Sequence, residues 1–488
     1  MNVLTVDWKP DKQSELPLYK QIVEYIKGKI AKGDWPVGSQ IPTQRILAQA
    51  FEVNRSTVVT ALDELIAEGL LEGKGRRGTR IINNTWSLLA STPPPNWQSY
   101  IKAGIHRPNL PTIQEINRLE FESNIIRLGT GELSPELFPK DEMKEVLSYI
   151  PDRMESLGYE EPKGMMYLRE QICIYLKKFG IYASPASILI VSGALQALQL
   201  IAIGLLQPGA TVLLEKPSYL HSLHVFQSAG MRMMGVPLED NGISIKEVAK
   251  YRKLKNPALL YTIPTFHNPT GIVVPEEKRH ELLGVCEKEK LPIIEDDVYR
   301  ELWIDAPPPQ PLKALDQNGL VLYLGSMSKT LSPGLRIGWM VGPEPVIERL
   351  GDVKMQTDYG SSSLSQWAVA EWLSSGRYEQ HLENVRKKLA TRRAAASEAL
   401  NKYFKDIATW KTPGGGFYIW LRFRTYLPMD KLFKKAWKSG ILLNPGNVYD
   451  MDANQHLRIS YSYASMKDLE YSLCRLAHIV RELMAEGA

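Results

Sequence analysis

Short apolar runs alternate with helical patterns from about residue 121 onward, and this alternation restricts the fold more than any other feature. The runs lie at residues 212–214, 259–263, 291–295, 321–324 and 337–341. Runs of this length that are apolar on both faces are typical of buried strands, and helices between them favour parallel pairing. We therefore predict an α/β fold with a mainly parallel sheet, completed from about residue 375 by a smaller α+β subdomain.

Two of the predicted strands end in residues that suit a cofactor site. Asp296 lies at the carboxyl end of one strand, where α/β proteins place their ligands. Lys329 follows the next strand, with Ser326 three residues before it and Arg336 seven residues after it. Pyridoxal 5'-phosphate (PLP) needs a lysine that forms a Schiff base, an acid beside the pyridine nitrogen and an anion cradle. The order of these residues therefore predicts a PLP site.

Residues 125–485 resemble the fold-type I aminotransferases. The matching segments are 128–131, 137–139, 159–164, 168–169, 192–195, 216–219, 267–271, 292–299, 325–339 and 456–460. The resemblance implies that Lys329 is the catalytic Schiff-base lysine, that Asp296 pairs with the pyridine nitrogen and that Tyr219 stacks on the ring. It also implies that Asn268 and Tyr299 donate to the phenolate oxygen.

The same resemblance implies a phosphate site and a carboxylate site. The phosphate ligands would be Ala194, Leu195, Ser326, Ser328 and Arg336, with Tyr159 reaching the phosphate of the partner subunit. Leu195 stands where the family often has a polar residue, so only its backbone can contribute. Arg458 matches the arginine that grips a substrate carboxylate with a bidentate fork, and Gly131 belongs to the same effector site.

Residues 1–82 predict a separate small domain of helices and a β-wing. The helical spacing of Leu18, Ile22, Ile26 and Ile30 predicts a first helix. A short second helix is predicted from an N-cap at Thr43, with Leu47, Ala50 and Phe51 buried. A third helix is predicted to bury Val58, Leu62, Leu65 and Ile66 and to stop at Gly69. The segment 70–82 is typical of two short strands around a glycine-rich basic wing.

This small domain resembles the GntR family of winged helix-turn-helix repressors, through segments 17–22, 36–45, 47–48, 53–58, 65–70 and 75–79. Because the first turn of a recognition helix meets the major groove, we expect the third helix to contact DNA there. The candidate DNA-binding residues are Thr43, Arg45, Asn54, Arg55, Ser56, Thr57, Gly75, Arg76 and Arg77. Asn54 replaces the usual serine and Leu62 replaces a common tyrosine, and neither change removes a positive charge.

Residues 83–120 are polar, contain Pro93-Pro94-Pro95 and lack a convincing periodicity, so we predict a linker that can hold one short helix. A flexible segment of this length has a root-mean-square reach on the order of 30–40 Å. The whole chain is thus similar to the MocR/GabR-type regulators, with a winged helix at 1–82, a linker at 83–120 and an aminotransferase-like domain at 121–488. That resemblance implies a head-to-tail, domain-swapped homodimer.

Composition indicates the cellular compartment in which the chain is expected to work. Its three cysteines, Cys173, Cys286 and Cys474, lack the spacing of a disulfide framework or a zinc site, which favours a reducing cytoplasm. We find no secretion signal and no apolar stretch that could span a membrane. We therefore expect a cytoplasmic protein with no metal and no membrane partner.

Three functions fit these observations. The first is a PLP-dependent transcriptional regulator that binds a double-stranded DNA operator and senses an amino compound. The alternative is an active aminotransferase with an accessory DNA-binding domain. A third is a sensor of PLP itself, in which occupancy of the site is the signal. The sequence also leaves open a site that binds PLP without turnover, and a helical domain that only docks on the large one.

Overall fold

The protein, seen in a computed structural model, divides into two units, Met1–Gly104 and Ile105–Ala488. The structure describes residues 4, 6–73, 78–83, 97–106, 108–154 and 158–486, excluding the side chains of residues 97, 98 and 102. In the first unit the elements are α1 (Leu18–Ala31), α2 (Gln44–Phe51), α3 (Arg55–Ala67), β1 (Leu71–Gly73), β2 (Thr79–Ile81) and α4 (Trp97–Ala103).

The second unit holds the remaining helices and strands. The helices are α5 (Pro111–Leu119), α6 (Lys140–Tyr149), α7 (Met166–Lys177), α8 (Ala194–Gly204), α9 (Val225–Ser228), α10 (Ile245–Lys255), α11 (Glu276–Lys288), α12 (Leu312–Leu315), α13 (Glu344–Thr357), α14 (Ser363–Ser374), α15 (Arg377–Tyr403), α16 (Met429–Lys438) and α17 (Met466–Glu486). The strands are β3 (Ile126–Arg127), β4 (Ile188–Val191), β5 (Thr211–Lys216), β6 (Arg232–Glu239), β7 (Gly242–Ile243), β8 (Leu259–Thr262), β9 (Ile293–Asp296), β10 (Val321–Ser326), β11 (Gly338–Val341), β12 (Ala408–Thr409), β13 (Tyr418–Phe423), β14 (Ile441–Leu442), β15 (Asn444–Pro445) and β16 (His456–Ser460).

The first unit packs its three leading helices around an apolar core that the two short strands complete. The predicted core positions Ile22, Leu47, Val58 and Leu62 are fully or almost fully buried. Ile66 differs from the prediction, because 37% of it is exposed to solvent. It lies next to the end of α3, where the following turn at Gly69 (φ +75°) carries the chain away.

The second unit is built on a mainly parallel sheet, as predicted. Its strand order is β4-β11-β10-β9-β8-β5-β6-β7. Strands β10, β9, β8, β5 and β6 run parallel to one another, while β11 is antiparallel to both of its neighbours. Because β11 is antiparallel to β10 and to β4, strand β4 points the same way as the parallel strands. The carboxyl ends of β4, β5, β8, β9 and β10 therefore meet at one edge of the sheet.

The smaller part of this unit is α+β, as expected. A four-stranded sheet in the order β12-β13-β16-β15 is antiparallel at each pairing. A separate parallel pair joins β14 to β3 through Ile441–Ile126 and Leu442–Arg127. The latter pair ties the start of the domain to its C-terminal part.

The second half of the segment 83–120 contains a helix, α5, that packs on the core of the second unit. Helix α5 begins at Pro111, which suits the first turn of a helix, and it buries Ile113, Ile116 and Leu119 in the core of the second unit. Its apolar face of three residues is too short to stand out in a polar sequence. The helix is stabilised by the core on which it packs.

No helix in the described part of the chain is both long and apolar enough to cross a membrane.

Candidate cofactor site and DNA-binding helices

The predicted cofactor residues meet at the carboxyl edge of the large sheet. Asp296 ends β9 and pairs in register with Leu324 of β10, so Asp296 and the segment that follows Ser326 lie side by side. A cavity at this edge is lined by Gly193, Ala194, Leu195, Leu198, Tyr219, Ile263, Asn268, Asp296, Val298, Tyr299, Ser326, Ser328, Lys329 and Arg336. Strand pairing thus brings together residues that are far apart in sequence.

The turn before α8 forms one wall of this cavity. Gly193 has a φ of +88°, and a Cβ at this position would lie 2.8 Å from Nη2 of Arg336. Arg336 itself donates to the backbone carbonyl of Ser192. The turn therefore requires glycine, both for its backbone conformation and for the close approach of the guanidinium group.

Two serines complete the polar side of this wall. The Ser326 hydroxyl lies 3.0 Å from the Ser328 hydroxyl and 3.3 Å from the Ile337 carbonyl oxygen. The Ser328 backbone N–H donates to the Ser326 hydroxyl at 3.1 Å. Together with the start of α8 and Arg336, these groups form a cradle with the donors and positive charge that a phosphate requires.

Asp296 is a buried carboxylate in which only one of the two oxygens accepts a hydrogen bond. It is 5% exposed, and its Oδ2 accepts a hydrogen bond of 2.7 Å from the Tyr261 hydroxyl. Its Oδ1 is buried without a partner. Burial raises the pKa of Asp296 to about 6, against the lowering effect of the Tyr261 hydrogen bond. A cation placed beside Oδ1 would remove the cost of this buried charge.

Lys329 reaches into the cavity from the segment that follows β10. Its Nζ donates to the Gly131 carbonyl oxygen at 2.7 Å. A Cβ on Gly131 would lie 2.2 Å from the Tyr418 hydroxyl oxygen, so the backbone comes close to the cavity only because this residue is glycine. Lys329 and Gly131, two predicted site residues, are therefore in direct contact.

A line of polar groups continues from Tyr299 on the floor of the cavity. Asn268 Nδ2 lies 3.4 Å from the Tyr299 hydroxyl, which is 3.1 Å from the Tyr418 hydroxyl. Burial raises the pKa of Tyr299 well above its ordinary value, and burial also raises the pKa of Tyr219 to about 12. Both phenols consequently stay protonated near neutral pH and can donate hydrogen bonds.

Arg458 lies in a second cavity, which shares Tyr219, Asn268 and Lys329 with the first. The arginine is 6% exposed, and its guanidinium stacks on the ring of Tyr418 at 4.1 Å and on that of Tyr449 at 4.8 Å. Its terminal nitrogens donate to the side-chain oxygen of Asn268 at 2.8 Å and to the carbonyl oxygen of Gly129 at 2.6 Å. Its Nε is buried without a partner, and the described residues supply no carboxylate to it.

Tyr159 lies apart from this cavity, unlike the other predicted cofactor residues. It is 83% exposed and contacts the ring of Tyr359, with 4.9 Å between the ring centroids. Leu195 does line the cavity at the first turn of α8.

Several residues of the site were missed from the sequence. They are Tyr261 beneath Asp296, Tyr418 and Tyr449 around Arg458, and Asn444, Thr130, Asn117 and Glu120 in the second cavity. Tyr261 and Tyr418 lie in buried strands, where an aromatic residue is usually part of the core. Glu120 follows α5, which the sequence placed in the linker.

The residues at the carboxyl edge fit PLP. The phosphate cradle, the unpaired Oδ1 of Asp296 and the lysine lie around one cavity, and Asp296 needs the cation that a protonated pyridine nitrogen provides. Tyr219 and Asn268 line the same space and can contact the ring.

Helices α2 and α3 present the predicted DNA-contacting residues. The Thr43 hydroxyl caps α2 by accepting from the Ile46 N–H at 3.4 Å, as predicted. Arg45, Asn54, Arg55 and Ser56 are exposed, and Thr57 is half-buried.

Arg55 is held in place by its neighbour on α2. Its Nε and Nη2 donate to the side-chain oxygen of Gln44 at 3.2 and 3.0 Å. The Asn54 side chain makes no capping bond to α3. Strands β1 and β2 pair antiparallel as predicted for a wing, while Gly75, Arg76 and Arg77 lie outside the described residues.

Two protein families match separate parts of the chain. The family described as "Aminotransferase class I and II" matches residues 123–476, and "Bacterial regulatory proteins, gntR family" matches residues 18–81. These matches confirm the two-part fold and the predicted cofactor, pyridoxal 5'-phosphate.

Curated relatives match the chain over nearly its full length. An uncharacterised HTH-type transcriptional regulator of Bacillus subtilis, YisV, is 55% identical over 98% of this chain and 99% of its own length. The HTH-type transcriptional regulator NorG of Staphylococcus aureus (strain N315) is 34% identical over 91% of this chain and 100% of its own.

Solved structures of aminotransferases match about four fifths of the chain. Kynurenine aminotransferase of Pyrococcus horikoshii is 31% identical, with a TM-score of 0.74 over 80% of this chain and 98% of its own. The α-aminoadipate aminotransferase LysN of Thermus thermophilus is 29% identical, with a TM-score of 0.73 over 80% and 99%. The chain therefore belongs to the HTH-type transcriptional regulators in which a GntR-type DNA-binding domain is joined to an aminotransferase class I and II domain.

Proposed function

We propose that this regulator senses an amino compound that carries a carboxylate, and that binding of this compound beside PLP changes how the protein engages a DNA operator. The observation that carries the proposal is Arg458. A buried guanidinium whose described partners are neutral groups leaves most of its charge unbalanced, which is costly in a protein interior. A ligand carboxylate would balance that charge.

Most of the predicted cofactor residues have a task in this proposal. Bound PLP supplies an aldehyde that reacts with amines and a ring that withdraws electrons from the carbon next to the amine. Lys329 anchors the cofactor, and Asp296 holds the proton on the ring nitrogen. Ser326, Ser328, Arg336 and the backbone at the start of α8 bind the phosphate. Tyr299 and Asn268 donate hydrogen bonds to the ring oxygen.

Helix α5 offers a route from the ligand to the DNA-binding unit. Ile113, Ile116 and Asn117 of α5 line the cavity that contains Arg458. The chain leads directly from α5 back through the linker to the winged helix. A ligand that contacts α5 differently in two arrangements of the protein would shift the balance between them, by no more than its difference in affinity. We infer a head-to-tail, domain-swapped homodimer that binds two DNA half-sites as the unit that responds.

The test is DNA footprinting of the full-length protein upstream of its own gene, without cofactor, with PLP, and with PLP plus a panel of amino acids. We expect a footprint on paired half-sites that one amino acid alters. Lys329→Ala should keep the footprint and lose the response to the amino acid, whereas Lys246→Ala, at an exposed lysine, should behave like wild type. A response that survives in Lys329→Ala would refute sensing through the cofactor.

The alternative, an active aminotransferase, is favoured by the complete set of Asp296, Lys329 and Arg458 in two adjoining cavities that share Lys329. It predicts steady transfer of amino groups from a donor to a keto acid at ordinary enzyme rates. A footprint that PLP changes without any amine would instead support a sensor of PLP.

A further inference from the structure

The cavity that contains Arg458 also holds two carboxylates, those of Glu120 and Glu132. The Thr130 hydroxyl donates to Glu120 Oε1 at 2.9 Å, which fixes this side chain at the cavity wall. Both glutamates are half-buried. The nearby cation Arg118 is engaged elsewhere, with Glu115 at 2.7 Å and Glu122 at 2.8 Å, and the described residues place no lysine or arginine within ion-pair distance of Glu120 or Glu132.

The segment 129–132 contacts the charged side chains of Arg458, Lys329 and Glu120, which line the same cavity. Gly129 and Gly131 offer their carbonyl oxygens to Arg458 and Lys329, while the residue between them, Thr130, holds Glu120. One short backbone segment is therefore surrounded by a cation that suits a carboxylate, a lysine that suits amine chemistry and a fixed anion. Two anionic side chains in the lining of one cavity favour a ligand that carries a cationic group.

Unpaired buried groups in the same cavity show that it is built to bind a polar ligand. Arg458 Nε and Asn444 Oδ1 both belong to residues that line it and both lack a hydrogen-bond partner, although their side chains are more than nine-tenths buried. Groups of this kind are rare in protein interiors unless a ligand or water satisfies them.

We propose that the effector is an amino acid whose side chain carries a second cationic group, and that Glu120, assisted by Glu132, selects it. This inference rests on the proposed function. The ligand carboxylate would pair with Arg458, its α-amine would face Lys329 and the cofactor, and its side-chain cation would pair with Glu120. Glu120 precedes the segment that matches the aminotransferase family and directly follows α5, so the selecting group is the last residue of the predicted linker.

The experiment is calorimetric titration of the PLP-loaded, full-length protein with matched ligands. L-lysine and L-norleucine have the same chain length and differ by the terminal ammonium group, and L-ornithine and L-norvaline form a second such pair. L-α-aminoadipate supplies the opposite charge. We expect L-lysine or L-ornithine to bind at least tenfold more tightly than its neutral counterpart, and L-α-aminoadipate to bind more weakly than either.

Variants then locate the preference. Glu120→Gln should reduce the preference for the cationic ligand to less than threefold while leaving the affinity for the neutral ligand unchanged, and Glu132→Gln should reduce it partly. Glu122→Gln is the matched control, because Glu122 is exposed and pairs with Arg118 outside the cavity. The unchanged neutral affinity also shows that the variants are folded.

Two results would overturn the inference, and they differ in what they leave standing. Equal binding of L-lysine and L-norleucine, or tighter binding of L-α-aminoadipate, would exclude a cation-selecting site and leave amine sensing intact. Absence of binding by all five of these amino acids would exclude this inference, and the footprinting panel would then decide whether another amine is sensed. In that case a footprint that depends on PLP alone would identify a PLP sensor.

Discussion

Asp296 and Arg458 are opposite charges buried in adjoining cavities, and the described residues give neither of them an ionic partner. A protein core rarely keeps such charges, because each costs several kcal/mol unless it is compensated. The two cavities share Lys329, but the Asp296 carboxylate and the Arg458 guanidinium do not neutralise each other. Asp296 therefore suits a cationic partner and Arg458 an anionic one. A protonated pyridine nitrogen and a ligand carboxylate have these charges.

The pH dependence of stability should reveal the cost of the Asp296 charge. Burial raises the pKa of Asp296 from 3.8 to about 6, so the cofactor-free protein favours the protonated acid. The stability that protonation supplies is complete below about pH 4 and is lost as the pH rises through about 6. Relative to wild type, Asp296→Asn should gain stability over this interval, by at most about 3 kcal/mol. Urea unfolding of both cofactor-free proteins from about pH 4 to pH 7.5 measures this difference.

The cofactor supplies the control for this measurement. PLP should reduce the difference between the two proteins, because a protonated ring nitrogen compensates the charge of Asp296 but gains nothing from asparagine. Glu295 has a raised pKa through burial as well, but it is present in both proteins and does not contribute to their difference. A pH-independent difference would mean that Asp296 is not a costly charge in the empty site.

The turn between β4 and α8 should determine cofactor affinity. In Gly193→Ala the new Cβ would lie 2.8 Å from Arg336 Nη2, and the φ of +88° is strained for alanine by about 1–3 kcal/mol. We expect Arg336 to move away from Ser192 and PLP affinity to fall at least tenfold, as measured by quenching of intrinsic fluorescence. Gly334→Ala is the control, since its Cβ would meet only the Ser332 hydroxyl at 3.6 Å. Equal affinities of the two variants would contradict a phosphate cradle at this turn.

Five of the eight strands of the large sheet, β5, β8, β9, β10 and β11, could be predicted from the sequence because apolar runs buried on both faces have few other interpretations. Strands β4, β6 and β7 were not predicted. The run at 212–214 lies inside β5, and the run at 321–324 opens β10. Their spatial order could not be predicted, nor could the antiparallel insertion of β11, since pairing partners are set by tertiary packing.

Helix α5 and the polar partners of the site were not predictable in the same way. The burial of Ile116 depends on a core assembled from distant segments, and the apolar face of α5 contains only three buried residues. Tyr261 looks like any core aromatic until β8 and β9 pair and bring its hydroxyl to Asp296. The family resemblance locates Lys329 from its motif, whereas these supporting contacts depend on the fold.

The position of Tyr159 bears on the whole molecule. Within one chain this residue is 83% exposed and does not line the cavity to which the family resemblance assigns it. The proposed head-to-tail homodimer resolves this, because the Tyr159 hydroxyl of each chain would reach the phosphate bound by its partner. The dimer would have twice the chain mass of 55.2 kDa, which sedimentation equilibrium measures directly.

Mixed dimers test whether Tyr159 acts across the interface. Tyr159→Phe should weaken PLP binding in its own homodimer by about tenfold or more, through the loss of a hydrogen bond to a charged phosphate. A differently tagged Lys329→Ala chain should anchor no cofactor by itself. In the purified heterodimer, the chain with Tyr159→Phe carries the intact Lys329, and the other chain supplies an unaltered Tyr159. We therefore expect one cofactor per dimer at wild-type affinity. Weakened binding at that single site would place Tyr159 in its own chain's cavity, and each sensor would then be complete without the partner.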